Sequence, residues 1–346
     1  MSTFFDRSAE DQIADLTGFA RELLSENNFS HFSIESVNYE FNATFAVTAS
    51  NTEKFALRIN INSTRTVENT QAEIAWAREL SQKLNTSNSP FRVAEPASFG
   101  ATGEFVVQKF HAGIGKNLTC VLYRWCEGEE VGDEPSDEQV QAMGAAMATL
   151  HNLSLTSPSH DSNGSHDSNG SHEPILPRLS DPFWETENFL FSSKSRLTSQ
   201  ERSILEPVFT EMCNEIAGLY TTHKSHIIHA DMHGWNLLWN DGEMSIIDFD
   251  DCGIGLAIQD ISVALYYFDT PEQDALFLKG YTSVRGLPDY SDTQMSALLL
   301  HRRFMLLNYL CETNNAEHQE MLPDYLAATI ERAQNYPDTY RPISRI

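Results

Sequence analysis

Residues 226–251, HIIHADMHGWNLLWNDGEMSIIDFDD, constrain the fold of this 346-residue chain more than any other stretch. They hold His229-x-Asp231 and, five residues after Asp231, Asn236. An apolar run Leu237-Leu238-Trp239 follows, then Asn240-Asp241-Gly242, a second run at 244–247, and Asp248. Asp-Gly between two short apolar runs is a strong hairpin signal, because both residues tolerate the positive φ of a two-residue turn. Such a hairpin returns Asn236 and Asp248 to the same end. An amide oxygen and a carboxylate held together are hard ligands, of the kind Mg²⁺ takes while keeping waters and substrate phosphates. Asp231 would face the metal-bound phosphate from the other side, orient an acceptor hydroxyl and receive its proton. The bare His-x-Asp-x4-Asn spacing is a weak signal; followed by strand, turn, strand and Ile-Asp-Phe it becomes specific.

The chain before this stretch changes texture once. Residues 8–28 carry Ile13, Leu16, Phe19, Leu23 and Leu24 at helical spacing. Strand patterns follow at FSIESVNYEF, ATFAVTAS and KFALRINI, then a helix at about 70–84 with Ile74, Ala77, Leu80 and Leu84 on one face. PASFG, FVVQKFHA and CVLYRW read as further strands. The first ~125 residues are thus expected to form a mainly antiparallel sheet with one inserted helix. After Gly128 the pattern is helical: Ser136-Asp137-Glu138-Gln139 is a capping box, and further helices are expected at 199–221 and 292–312. Residues 159–172 repeat Ser-His-Asp-Ser-Asn-Gly, a polar insertion that cannot bury a core.

Composition narrows the function. Twenty-three Lys and Arg stand against 49 Asp and Glu, a formal net charge of −26. Phosphate backbones reward clustered Lys and Arg, so no nucleic-acid partner is expected. The same charge allows a cationic acceptor. The N-terminus shows no basic segment followed by an apolar one, and residues 295–310, the most apolar run, are broken by His301-Arg302-Arg303. The five cysteines, Cys120, Cys126, Cys213, Cys252 and Cys311, form no Cys-x-x-Cys pair. No membrane partner and a cytoplasmic location are expected.

On the residues HADMHGWNLLW and IIDFDDCGIGLAIQD the sequence resembles the kinase-like phosphotransferases. That family includes aminoglycoside phosphotransferases, choline kinases and type II homoserine kinases, and the likeness is greatest to the branch around stress response kinase A. VLYRWCEGEE resembles the family's hinge and MATLHN the end of its first C-lobe helix. The resemblance implies an α+β, bilobal protein-kinase-like fold. Its N-lobe (1–124) is an antiparallel sheet with one helix, a hinge spans 125–128, and a mainly helical C-lobe occupies 129–346. It implies that ATP binds between the lobes with Mg²⁺, Asp231 being the catalytic base and Asn236 and Asp248 the metal ligands. His229 would shape the catalytic loop, and Asp260 would hydrogen-bond that loop from the next helix. Arg58 stands where the phosphate-contacting basic residue of the third strand is expected, and Glu73, with Glu79 as competitor, where its helix partner is. No glycine-rich loop occurs at 37–45, so Asn42 or Thr44 would join the backbone in holding phosphate. The Arg124 carbonyl and Cys126 amide would meet adenine.

The expected activity is transfer of the ATP γ-phosphoryl group to a hydroxyl of a small molecule. Only eleven residues separate Asp248 from Asp260, too few for a protein-substrate platform, and a protein Ser/Thr kinase of the stress-response type is the alternative. Histidines 223, 226, 229 and 233 also raise a zinc hydrolase, which would use neither Asn236 nor the hairpin. A catalytically silent nucleotide-binding protein is the third alternative. Trp184, Tyr266, Tyr267, Phe268, Arg302 and Arg303 are candidate lining residues of an acceptor cleft.

Overall fold

The computed structural model describes residues 4–87, 89–100, 103–156, 175–313 and 315–338; the polar repeat at 159–172 lies outside them. The chain divides into two compact units: the described residues up to Gly128, with Ile175, form the first, and those from Glu129 to 156 and from Leu176 onward form the second.

In the first unit, helix α1 (Ala9–Glu26) starts at Ser8, whose hydroxyl accepts from the Asp11 amide. Strands β1 (Phe32–Tyr39), β2 (Ala43–Ala49) and β3 (Lys54–Asn60) follow, then α2 (Val67–Thr86). β4 (Phe91–Val93), β5 (Pro96–Ala97), β6 (Val106–His111) and β7 (Lys116–Arg124) complete the unit. Antiparallel pairing runs β1-β2-β3-β7, and the far edge of β7 is shared by β5 and β6. The two-residue period of β3 sorts its side chains. Phe55, Leu57 and Ile59 join Leu16, Phe19, Leu23 and Leu24 of α1 in one buried cluster, while Arg58 points to the opposite face and bonds Glu73 of α2. Helix α2 begins earlier than its apolar spacing predicts, because Thr66 and Asn69 form a reciprocal cap. Strand β4, three residues long, has too short a pattern to be read in advance.

The second unit holds β8 (Glu129–Glu130), α3 (Asp137–Leu155), α4 (Ser199–Thr222) and β9 (His226–Ile228). β10 (Leu237–Asn240), β11 (Glu243–Ile246), β12 (Gly253–Gly255) and α5 (Ala257–Tyr266) follow, then α6 (Pro271–Thr282), α7 (Asp292–Glu312) and α8 (Ala316–Gln334). Ser136 caps α3 with the Gln139 box read from the sequence. β10 and β11 form the hairpin, β8 pairs along β10, and β9 pairs with β12. Helix α6 escaped the reading because it buries only Phe277, Gly280 and Tyr281. Arg302 and Arg303 interrupt the apolar run of α7, yet both are buried. Among the described residues no helix is long and apolar enough to cross a membrane.

Helices α3 and α6 meet backbone to backbone at two glycines. A Cβ on Gly280 would lie 1.9 Å from the Gln141 carbonyl oxygen, and one on Gly144 2.0 Å from that of Phe277. Overpacking costs about 1–3 kcal/mol, and here the obstacle is backbone, which cannot rotate away. Alanine's better helix propensity returns about 1 kcal/mol. Gly280→Ala should therefore destabilise the protein by roughly 2 kcal/mol in urea denaturation; unchanged stability would show that the helices separate without loss.

Candidate catalytic site

The loop after β9 is held from behind by Asp260, in the first turn of α5. Its carboxylate accepts the His229 amide at 3.2 Å and the Ala230 amide at 2.7 Å. His151 Nε2 lies 2.9 Å from the same carboxylate, and His151 Nδ1 lies 2.9 Å from the Tyr281 hydroxyl. Burial raises the Asp260 carboxyl, but His151, His229 and the Ala230 amide outweigh it and keep the group below its usual range. Ala230 takes φ 66°, a left-handed conformation that a residue with a Cβ disfavours; Asp260 accepts the two successive amides that flank His229.

His229 is fully buried. Its Nδ1 accepts the Asp231 amide at 3.2 Å and its Nε2 pairs with the Ile247 carbonyl at 3.0 Å. The hydrogen therefore sits on Nε2. Burial lowers its pKa, so the ring stays neutral. It ties the loop to the residue preceding Asp248.

Asp231 is surrounded by donors. Arg302 Nη2 donates to Oδ1, while Asn236 Nδ2 at 3.2 Å and His233 Nε2 at 3.4 Å face Oδ2. Burial pushes the carboxyl up, but the Arg302 guanidinium and His233 hold it well below the usual carboxylate range. Arg302 also donates to the Tyr267 hydroxyl at 2.8 Å, and the Tyr267 ring lies against His233 with centroids 4.4 Å apart.

The hairpin brings Asn236 and Asp248 to one end. Leu237 faces Ile246, Asn240 faces Glu243, and the Ile247 amide donates to the Asn236 carbonyl at 3.0 Å. Asp241 and Gly242 turn at φ 47° and 90°, the two positive values of a type I′ turn. Asn236 spends its Nδ2 on the Asp231 carbonyl (2.8 Å) and carboxylate, which leaves Oδ1 as the side-chain atom for a cation. Asp248 is exposed, at φ 57°, and its Oδ1 accepts the Asp250 amide at 3.4 Å.

In the first unit Arg58 Nη2 bonds Glu73 Oε2 at 2.7 Å and Nε bonds Asn60 Oδ1 at 3.0 Å. Tyr123 donates to the other Glu73 oxygen at 2.6 Å. Glu79 instead pairs with Lys83 at 2.6 Å, so of the two glutamates Glu73 is the one joined to Arg58. Thr44 stands directly across from Arg58 in the β2–β3 register, and Asn42 lies in the β1–β2 turn. Arg124 ends β7, near Glu53 and Glu95. The Arg124 and Trp125 amides donate to the Glu95 and Lys54 carbonyls, and Cys126 follows, half-buried.

Other expected residues are placed elsewhere. Trp184 is buried in a core cluster that includes Ala230, behind the loop, while Tyr266 bonds Tyr325 and Arg303 bonds Thr329. The reason is helical phase: Arg302 and Arg303 are consecutive and so face different sides of α7. The histidines also part company, since His223 bonds the Leu219 carbonyl and His226 that of Ile227. Among the described residues no group of three or more His, Cys, Asp or Glu is placed to hold a metal ion. Sequence reading gave His151 no role, although it stands in MATLHN amid the apolar positions of α3.

Burial lowers the pKa of His226 to about 3 and of His301 to about 4, from 6.5. The unfolded chain binds these protons first, so stability is complete above pH 6.5 and is lost as pH falls toward 4. Each ring contributes on the order of 3 kcal/mol to that loss. Melting temperatures measured from pH 7.5 to 4.5 should fall steadily below 6.5; a flat profile would contradict the buried, neutral state of both rings.

The sequence matches the model of the phosphotransferase enzyme family (APH) over residues 38–294. Amicoumacin kinase of Bacillus subtilis (strain 168) is 24% identical over 301 residues, covering 79% of this chain and 80% of that protein. The microcompartment-associated aminopropanol kinase superposes with a TM-score of 0.70 at 20% identity, covering 93% of this chain and 98% of that one. An amicoumacin kinase in complex with AMP-PNP, Ca²⁺ and Ami superposes at 0.67, with 20% identity and 94% and 96% coverage. Ethanolamine kinase of Plasmodium vivax gives 0.59 at 13% identity, with 93% and 89% coverage. The fold is protein-kinase-like, and with the family model spanning well over half of the sequence, the chain belongs to the phosphotransferase enzyme family.

Proposed function

We propose that this protein transfers the γ-phosphoryl group of ATP to a hydroxyl of a small, cation-compatible molecule, with Asp231 as the group that receives the proton. The observation that carries this reading is the placement of Asp231 within hydrogen-bond reach of Asn236, at the hairpin end from which Asp248 also emerges. Arg302 makes Asp231 a weak base. In a loose phosphoryl-transfer transition state the hydroxyl proton leaves late, so orientation of the hydroxyl counts for more than basicity. Arg302, His233 and Asn236 supply that orientation by fixing both carboxylate oxygens.

Asn236 Oδ1 and the Asp248 carboxylate fit a magnesium ion, being hard oxygen donors too few to saturate it. When bound, such an ion neutralises charge on the phosphate oxygens. Arg58, fixed by Glu73 and Asn60, would contact phosphate together with Asn42 or Thr44, and the Arg124 carbonyl and Cys126 amide would meet adenine. The related amicoumacin, aminopropanol and ethanolamine kinases are named for small molecules, and one was captured with AMP-PNP and Ca²⁺. This does not favour the protein-kinase alternative. A reducing, cytoplasmic setting belongs to the same reading, since no disulfide joins the five cysteines.

The test is ATP consumption with amino alcohols, aminoglycosides, other hydroxylated metabolites and protein substrates. Turnover with a small alcohol is expected, and Asp248→Asn should weaken Mg-nucleotide binding. Phosphate transfer to protein alone, or to nothing, would overturn the reading.

A further inference from the structure

Tyr325, Thr329 and Arg332 stand four and three residues apart on α8, and all are buried along one stripe of the helix. The first two are bonded to α5 and α7. The Tyr325 hydroxyl lies 2.7 Å from that of Tyr266, the last residue of α5. Thr329 Oγ1 accepts from Arg303 Nε of α7 at 3.0 Å and donates to the Tyr325 carbonyl at 2.7 Å. The Arg303 guanidinium also lies over the Tyr325 ring, 4.3 Å from its centroid.

Arg332 differs from both. Only 2% of it is exposed, yet Nε, Nη1 and Nη2 all lack a hydrogen-bond partner. Those nitrogens carry every N–H donor of the guanidinium. The side chains that act on its charge are Tyr266, Arg303 and Tyr325, two phenols and a second cation. Burial, with Arg303 beside it, lowers the Arg332 pKa to about 10, so the group is still a cation at neutral pH. A buried charge is normally paired, because the interior cannot replace the water it has lost. Carboxylates are not scarce in this chain, which holds 49 Asp and Glu against 23 Lys and Arg. Among the described residues, none of them pairs with Arg332.

We propose that Arg332, reinforced by the charge of Arg303, binds a halide-sized inorganic anion where α8 packs against α5 and α7. The guanidinium fork supplies the donors and the adjacent cation deepens the attraction. Burial sets the size, since a group exposed by 2% is out of reach of a nucleotide or a sugar phosphate. The site is separate from the catalytic loop: Arg302 turns to Asp231, and the next residue, Arg303, turns to α8. The proposal therefore stands apart from the phosphotransferase reading. Its consequence is structural, an anion that joins α8 to the helices carrying Tyr267 and Arg302.

The experiment melts the full-length protein in sodium chloride and in sodium gluconate at one ionic strength. Screening is the same in both salts, and gluconate is too large for the site. Chloride well above its Kd should raise the melting temperature by about 3 °C relative to gluconate, as a ligand of the folded state alone does. Arg332→Met keeps the apolar stem and removes the charge. It should melt at or above the parent in gluconate, because a buried unpaired cation has gone, and should not distinguish the two salts. Arg332→Lys keeps the charge on a single ammonium and should retain a smaller chloride response. Crystals grown in sodium bromide should show an anomalous scattering peak beside the Arg332 guanidinium. Equal melting of the parent in both salts overturns the proposal, as does a chloride gain that survives in Arg332→Met. If Arg332→Met does not fold, the lysine variant and the bromide crystals decide, and a map without the peak overturns the proposal.

Discussion

Asp231→Asn should lower phosphotransfer by about 10²–10⁴-fold, the usual consequence of losing a general base, while nucleotide affinity stays close to that of the unaltered protein. The substitution removes the proton acceptor but keeps the shape, and an amide oxygen can still receive the Arg302 guanidinium. Arg302 loses its anionic partner, so nucleotide binding serves as the control for folding. Asp248→Asn should show the opposite split, with weakened binding of the Mg-nucleotide. Near-normal turnover by the Asp231→Asn protein would remove Asp231 from the mechanism.

The largest effect on stability is expected at Asp260. Its carboxylate is fully buried and engages two backbone amides and His151. Asp260→Ala leaves those amides and the imidazole without their acceptor, and breaking a buried charged network of this kind costs about 3–5 kcal/mol. Domain stabilities are commonly about 5–15 kcal/mol, so the variant should melt far below the parent. Asp260→Asn keeps one acceptor oxygen and should lose roughly 1–3 kcal/mol. Chemical denaturation of both variants checks the order. Less than about 1 kcal/mol lost by the alanine variant would show that the loop at Ala230 holds its left-handed turn without Asp260.

Elements of the fold were legible where the physics is local. The Asp241-Gly242 turn needs only two residues that accept positive φ, and the structure shows both doing so. Ser136 and Gln139 cap α3 across one helical turn. Strand β3 alternates Leu57 and Ile59 against Arg58, and that alternation alone separates the apolar cluster from the ion pair with Glu73. Weakly patterned elements were not legible: α6 buries too few side chains for a helical period to stand out.

For the candidate site, the sequence carried the residue types and the hairpin that gathers Asn236 and Asp248, because those depend on neighbours within about twenty positions. It could not carry the partners. Arg302 reaches Asp231 across 71 positions and His151 reaches Asp260 across 109. Neither pairing has a local signature, since an arginine on a helix surface and one buried against a carboxylate look alike in a list of residues. Which of Arg302 and Arg303 faces the loop follows from the rotation of α7 about its axis. That rotation is settled by packing against the rest of the second unit, where side-chain volume and buried charge, rather than spacing along the chain, choose the one arrangement that satisfies both.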